Sequence, residues 1–166
     1  MDILEAKAQR LKHLTEDVVE ASKISSGNIT MEYMNINFVE MINQTTGEFT
    51  EKFEKRNLQI VLNVPEKPVM VRTDGRRMWR VIENIYNNAA KYALEGTRVY
   101  ADLIEKEHTV EFSLKNISEQ PLNISADELT ERFIRGDVSR STEGSGLGLS
   151  IAKNLTELQG GKFELY

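Results

Sequence analysis

Arg80-Val-Ile-Glu-Asn-Ile-Tyr-Asn-Asn-Ala-Ala-Lys-Tyr92 is the stretch on which the fold turns. Asp74 stands ahead of it as an N-cap, and no Pro or Gly interrupts it. Met78, Ile82, Ile85 and Ala89 recur at helical spacing, which predicts a buried amphipathic helix with that row inward. Its other side is unusual. At about 100° per residue, Asn84, Asn88, Lys91 and Tyr92 fall within about 100° of one another, so two amides, an ammonium and a phenol share one stripe. A plain solvated face would also carry these residues, since Asn is common enough on helix surfaces. The choice between the two rests on residues further along.

Length and composition bound the answer. A chain of 166 residues, 40% hydrophobic, can bury one good core with a small helical appendage outside it. A net charge of −5 argues against a nucleic-acid partner, which would need a basic footprint. With no cysteine, disulfides and thiolate metal sites are excluded, and the composition fits a reducing cytoplasm. No apolar run approaches the roughly 18 residues of a membrane span, and the start has no signal-peptide hydrophobic region, so no membrane contact is expected.

In chain order, residues 2 to about 26 predict a long polar helix. Its Leu4, Leu11, Leu14, Val18 and Ala21 follow 3-4 spacing, and Ser25-Ser-Gly-Asn28 ends it. So narrow a stripe suits a coiled-coil or bundle arm better than packing on the chain's own core. His13 lies off that seam with no partner set around it and reads as a surface residue. Ile29 to Tyr33 alternates as a short strand, and Asn37 caps a helix to about Arg56 with Phe38, Met41, Ile42, Thr45, Phe49 and Phe53 inward. Leu58 to Val64 and Val69 to Val71 read as strands. Arg98 to Ile104 and Thr109 to Leu114 form a hairpin around the exposed turn holding His108.

From Asn116 to about Glu143 there is little strand or long-helix character beyond a short helical piece at Ala126 to Phe133. A connection of this length inside a compact domain is usually functional or disordered. It ends in Thr142-Glu-Gly-Ser-Gly-Leu-Gly-Leu149 before a helix from Ser150 to Leu158, which suggests a lid with a glycine hinge. Glycines at alternate positions opening a helix let backbone N–H groups approach a phosphate at the positive helix end. The spacing is not that of the dinucleotide-binding fingerprint, and no strand leads directly into it. Gly160-Gly161 then turns into a predicted final strand, Lys162 to Tyr166.

Taken together, Asn84-x-x-x-Asn88-Ala-x-Lys-Tyr92, Leu129-Thr-Glu-Arg-Phe-Ile-Arg-Gly-Asp137 and Gly144-Ser-Gly-Leu-Gly-Leu-Ser-Ile-Ala-Lys153 closely resemble, in order and spacing, the asparagine, phenylalanine and second glycine boxes of bacterial sensor histidine kinases. The resemblance covers essentially the whole chain. It implies an α+β fold: a two-layer α/β sandwich of the Bergerat type, a mixed sheet with helices packed on one face, preceded by a long N-terminal helix. Residues 1–28 would be the second helix of the dimerisation and phosphotransfer bundle. Residues 29–166 would be the ATP-binding catalytic domain, shortened at its C-terminus.

The same resemblance implies ATP and Mg²⁺ as cofactors. Asn88 would give its amide oxygen to the Mg²⁺, with Asn84 beside it through water, and a hard cation that keeps waters and phosphate oxygens needs no more protein ligands than these. Lys91 would reach a phosphate and Tyr92 would pack near the adenine. Arg135 or Arg140 would meet the γ-phosphate, while Gly144, Gly146, Leu147 and Gly148 would cradle the phosphates. Relatives that hydrolyse ATP carry a glutamate base where Asn84 stands, and an amide cannot take a proton from water at neutral pH. ATP would therefore be held for transfer to a histidine on an upstream helix and relay to a response regulator, in a homodimer joined through the N-terminal helix.

Two departures qualify this. The family's phosphoacceptor segment, His-Glu-x-x-x-Pro, is absent, the first proline being Pro65, so no autophosphorylation is expected of this chain. The first glycine box, Asp-x-Gly-x-Gly, should fall at Asn116-Ile-Ser-Glu-Gln120, where the aspartate and both glycines are missing. Two other readings therefore stay open at this point: a nucleotide-binding regulatory domain without kinase activity, and a helical dimerisation module.

Overall fold

The computed structural model describes residues 3–118 and 147–165, except for the side chains of Ala6, Arg10, His13, Leu14, Asp17 and Leu147. The chain divides into two compact units, Met1–Met31 and Glu32–Tyr166. The expectations for His13 and Leu14 and for the short helix at 126–133 lie outside the described residues.

The first unit is α1 (Ile3–Ser26). It ends where Gly27 takes a φ of 72°, a left-handed conformation natural to glycine. The Gly27 N–H donates to Ile24 O and the Asn28 N–H to Lys23 O, closing the last turn. Leu4, Leu11 and Val18, seven residues apart, are exposed along one side.

The second unit runs β1 (Tyr33–Asn37), α2 (Phe38–Glu54), β2 (Gln59–Asn63), β3 (Met70–Asp74), α3 (Gly75–Tyr92), β4 (Arg98–Glu105), β5 (Val110–Lys115) and α4 (Leu147–Leu158). Its centre is a mixed sheet in which β4 pairs parallel with β2 and antiparallel with β5. The register places Ile60 beside Val99 and Leu103 beside Phe112. On β4 the side chains alternate: Val99, Ala101 and Leu103 are buried, whereas Arg98, Tyr100 and Ile104 are exposed. One face of the sheet thus meets the helices, as the expected α/β sandwich requires.

In the second unit, α2 and α3 each start where a side chain satisfies one of the helix's free N–H groups. Asn37 accepts from the Glu40 N–H, and Asp74 accepts from the Arg77 N–H. Between them, α2 and α3 enclose Phe49, Phe53 and Tyr86, whose rings lie 5.4 to 6.1 Å apart, and Phe112 from the sheet stacks on Tyr86 at 6.2 Å. Tyr86 is completely buried, and its hydroxyl is 2.7 Å from Thr46 Oγ1, which satisfies both polar groups. The buried arc of α3 holds Val81, Ile82, Tyr86, Ala89 and Ala90, wider than the predicted row, in which Met78 and Ile85 are only half-buried. The reason is that α3 packs against the sheet and α2 on one side and against α4 on another.

Three strand expectations are corrected. The first strand is Tyr33–Asn37 and not Ile29 to Tyr33, because the ladder forms only where β3 lies opposite, from Tyr33 beside Asp74 to Asn37 beside Met70. For the same reason β3 extends beyond Val71 to Asp74. Among the described residues these two strands form a separate antiparallel ribbon and do not join the mixed sheet. Residues 161–165 follow α4 without strand pairing among the described residues, where Lys162 to Tyr166 had been expected as a final strand.

Candidate functional site

Helices α3 and α4 lie antiparallel, as two contacts far apart along them show. At one end, Gln159, next after α4, accepts through Oε1 from the Thr73 hydroxyl and from the Asp74 N–H, just before α3. Further along, Gly148 in the first turn of α4 packs on the amide of Asn84. A Cβ built on Gly148 would stand 3.5 Å from Asn84 Oδ1 and 3.6 Å from its Cγ. The positive end of α4 therefore faces the polar stripe of α3.

Asn84 carries the decisive polar detail. Its Nδ2 is buried and has no hydrogen-bond partner among the described residues. A buried amide donor left unmatched costs about 1–3 kcal/mol, so it marks a place where an acceptor belongs. Asn88 follows one turn later on the same side, about 6 Å along the axis, and is half-buried like Asn84. Lys91 and Tyr92 end the stripe and are exposed. The helix N-terminus and the buried amide donor both favour an anion, and Lys91 adds positive charge to that side.

The end of α3 is held in place by long-range contacts. Arg56 Nη1 donates to the carbonyls of Ala90 and Lys91 at 2.7 and 3.0 Å, and Lys52 Nζ donates to Asn87 Oδ1 at 2.8 Å. The Leu94 N–H donates to Ile117 O at 2.6 Å and Ala93 bridges to Ser118. This brings the exit of β5, with half-buried Asn116, beside the Lys91–Tyr92 end of the stripe. Gly148 thus lies on Asn84, with Asn88 one turn along α3, while the contacts of Ala93 and Leu94 bring the β5 exit to the Lys91–Tyr92 end of the same helix. Arg135, Arg140, Gly144 and Gly146 lie outside the described residues, as does the Leu147 side chain.

The start of α3 is equally fixed. Asp74 Oδ2 accepts from the Glu32 N–H at 2.9 Å and from Arg77 Nη1 at 2.9 Å, while Oδ1 accepts from the Arg77 N–H. Burial raises the Asp74 pKa, but the backbone hydrogen bonds from Glu32 and Arg77 together with the Arg77 guanidinium outweigh it, and the net shift is downward. Sequence reasoning missed Arg56 and Gln159. Nothing local marks Arg56, and Gln159 stands out only as the residue before the Gly160-Gly161 helix stop.

The residues present fit a nucleotide with its cation. No group of three or more His, Cys, Asp or Glu side chains among the described residues could hold a metal ion, so a cation here would take most ligands from phosphate and water and one from an amide. Asn88 could supply that amide.

These features define an ATP-binding domain of the histidine kinase-, DNA gyrase B- and HSP90-like ATPase family, which matches residues 73–166, and the chain belongs to that family. Within it, the similar proteins are sensor histidine kinases. The chain is 32% identical to the sensor protein KdpD of Clostridium acetobutylicum over 161 residues, 93% of this chain and 17% of that protein. It is 31% identical to the sensor protein VanSC of Enterococcus gallinarum over 157 residues, 93% of this chain and 43% of that protein. It therefore spans less than half the length of these curated relatives. Among solved structures, the catalytic domain of histidine kinase ThkA is similar with a TM-score of 0.67 at 25% identity, covering 81% of this chain and 87% of that one. Full-length ShkA in complex with AMPPNP shares the fold with a TM-score of 0.76 at 18% identity, over 97% of this chain and 34% of that one.

Proposed function

We propose that this chain is the catalytic domain of a two-component sensor histidine kinase, which holds Mg-ATP between α3 and α4 and gives its γ-phosphate to a histidine on a separate helix. The observation that carries this reading is Asn84, whose Oδ1 and Cγ lie against Gly148 at the positive end of α4 and whose buried Nδ2 has no partner among the described residues. In this reading the backbone of the α4 N-terminus and Asn84 receive phosphate oxygens, and Lys91 adds a point charge. Asn88 would hold the Mg²⁺, which would supply positive charge to offset that of the phosphates. Asn84 has no basicity with which to activate water, so bound ATP is spared hydrolysis. As the resemblance implies, Arg135 or Arg140 would meet the γ-phosphate, and Gly144, Gly146 and Leu147 would complete the phosphate cradle.

The exposed Leu4, Leu11 and Val18 of α1 fit a homodimer seam, with a response regulator as the phosphoryl acceptor downstream of the histidine. No helix among the described residues is long and apolar enough to cross a membrane. A cytoplasmic location fits this reading. The test is calorimetric titration with ATP, with and without Mg²⁺, followed by phosphotransfer in trans to a histidine-bearing dimerisation helix. Mg²⁺-dependent binding and acid-labile phosphate on that helix are expected. Binding without any transfer would reduce the chain to a nucleotide-responsive regulator, and absence of binding would sink the reading.

A further inference from the structure

We infer that Gln159 is a positioning residue that sets where the α4 N-terminus meets Asn84, and so tunes the nucleotide site from the far end of the helix pair. Its significance for nucleotide rests on the reading above. Gln159 is half-buried and uses both ends of its amide: Oε1 accepts from the Thr73 hydroxyl and from the Asp74 N–H at 2.8 Å, and Nε2 donates to Leu155 O at 3.1 Å. Its partners are as constrained as it is. Thr73 and Asp74 are buried, and the Asp74 carboxylate is already engaged by the Glu32 N–H and by Arg77. The residue that caps the start of α3 is therefore also the residue that Gln159 holds.

Geometry carries this grip to the site. From Asp74 to Asn84 is about 15 Å of helix, and from Gly148 to Gln159 about 16 Å, so the two antiparallel helices are cross-linked by rungs of matched spacing. The lower rung cannot slide easily. Gly160, at φ 80°, and Gly161 turn the chain sharply after α4: the Gly160 N–H donates to Glu157 O and the Gly161 N–H to Thr156 O. A Cβ on Gly161 would come within 2.9 Å of Thr156 Cγ2. The upper rung, Gly148 on Asn84, consists only of packing in the described structure, with no hydrogen bond from Asn84 Nδ2 to fix it. A stiff helix pinned at one end by directional bonds and resting at the other on a glycine contact takes its register from the pinned end.

The test combines a nucleotide-free readout with a binding one in the full chain. In ¹⁵N-labelled protein the Asn84 side-chain amide is identified by its loss in Asn84→Ala, and Mg-ATP affinity is measured by calorimetry. Gln159→Leu and Thr73→Val should each move the Asn84 amide resonances and weaken Mg-ATP by about tenfold, the scale of losing one or two hydrogen bonds. Because they break one shared contact, the double variant should lose little more than Gln159→Leu alone. Gln159→Glu keeps the oxygen that accepts from Thr73 and Asp74 but loses the donor to Leu155 O, so it should move the Asn84 signal less than Gln159→Leu does. Ile42→Val, a core change remote from this contact, should lower the melting temperature without moving that signal. An unmoved Asn84 amide in Gln159→Leu or Thr73→Val, or an equal movement in Ile42→Val, overturns the proposal. Should wild type fail to bind Mg-ATP, movement of the Asn84 amide in Gln159→Leu would still support the positioning role while the nucleotide reading falls.

Discussion

Gly148 and Asn84 touch without a side chain between them: a Cβ at 148 would stand 3.5 Å from Asn84 Oδ1, which is ordinary contact and no clash. Stability and binding should therefore part company in Gly148→Ala. Alanine removes the conformational freedom of a helical glycine and should leave stability unchanged or raise it by about 0.5 kcal/mol. The added methyl occupies the approach to the α4 N–H groups, so Mg-ATP affinity should fall about tenfold, or about 1.4 kcal/mol. Thermal melting and calorimetry on the same sample decide it, and a variant that loses both or neither refutes the argument.

The two asparagines should also separate. Asn88→Ala removes the amide oxygen offered to Mg²⁺ and should weaken ATP by at least about 1.4 kcal/mol only when Mg²⁺ is present. Asn84→Leu removes a buried donor that has no partner among the described residues, so the nucleotide-free protein should gain about 1 kcal/mol while ATP binding weakens. Equal ATP affinity of Asn88→Ala and wild type in Mg²⁺ would remove Asn88 from the site.

Asn116 stands, half-buried, at the exit of β5, where the family resemblance calls for an aspartate. A carboxylate can only accept, so it takes the adenine N6–H and repels guanine O6, whereas an amide can pair with either base edge by turning over. This chain should therefore discriminate ADP from GDP less sharply than Asn116→Asp, by about 1–3 kcal/mol. Dissociation constants of both nucleotides for both proteins give the ratio, and no change in it would take Asn116 out of base reading.

Asp74 predicts an acid limb. Its carboxyl is held below the ordinary 3.8 in the folded state by the contacts from Glu32 and Arg77, in spite of burial. The unfolded chain therefore binds this proton first. The contribution to stability is full above about pH 4 and is lost as pH falls further, through the lowered folded value. Asp74→Ala should cost about 1–2 kcal/mol at neutral pH, chiefly through the lost N-cap of α3. It should also flatten the decline of stability with acid below pH 4. Urea unfolding across pH 2–7 measures both, and parallel curves for the two proteins would contradict the assignment.

Much of this molecule was legible locally. Asn37 and Asp74 announce the starts of α2 and α3, each accepting from an N–H three residues on, and Gly27 marks the end of α1 by taking the left-handed conformation. Alternation on β4 told its buried face, because successive strand residues point to opposite sides. The stripe of Asn84, Asn88, Lys91 and Tyr92 is fixed by helical geometry alone, and with the glycine run at 144–148 it carried the family.

Tertiary structure decided what spacing cannot express. Tyr86 is wholly buried because α3 meets the sheet, α2 and α4 on different sides, so a single apolar row understated the buried arc. The first strand begins at Tyr33 because a ladder exists only where β3 supplies a partner, and residues 161–165 form no strand because no partner lies beside them among the described residues. Asn84 and Gly148 meet through the packing of α4 on α3, and Gln159 reaches Thr73 and Asp74 across 86 and 85 residues of sequence. Caps and periodicity are short-range, encoded within a turn or two of the residues that need them. Which helix lies against which, and in what register, depends on burial and hydrogen bonding summed over the whole core.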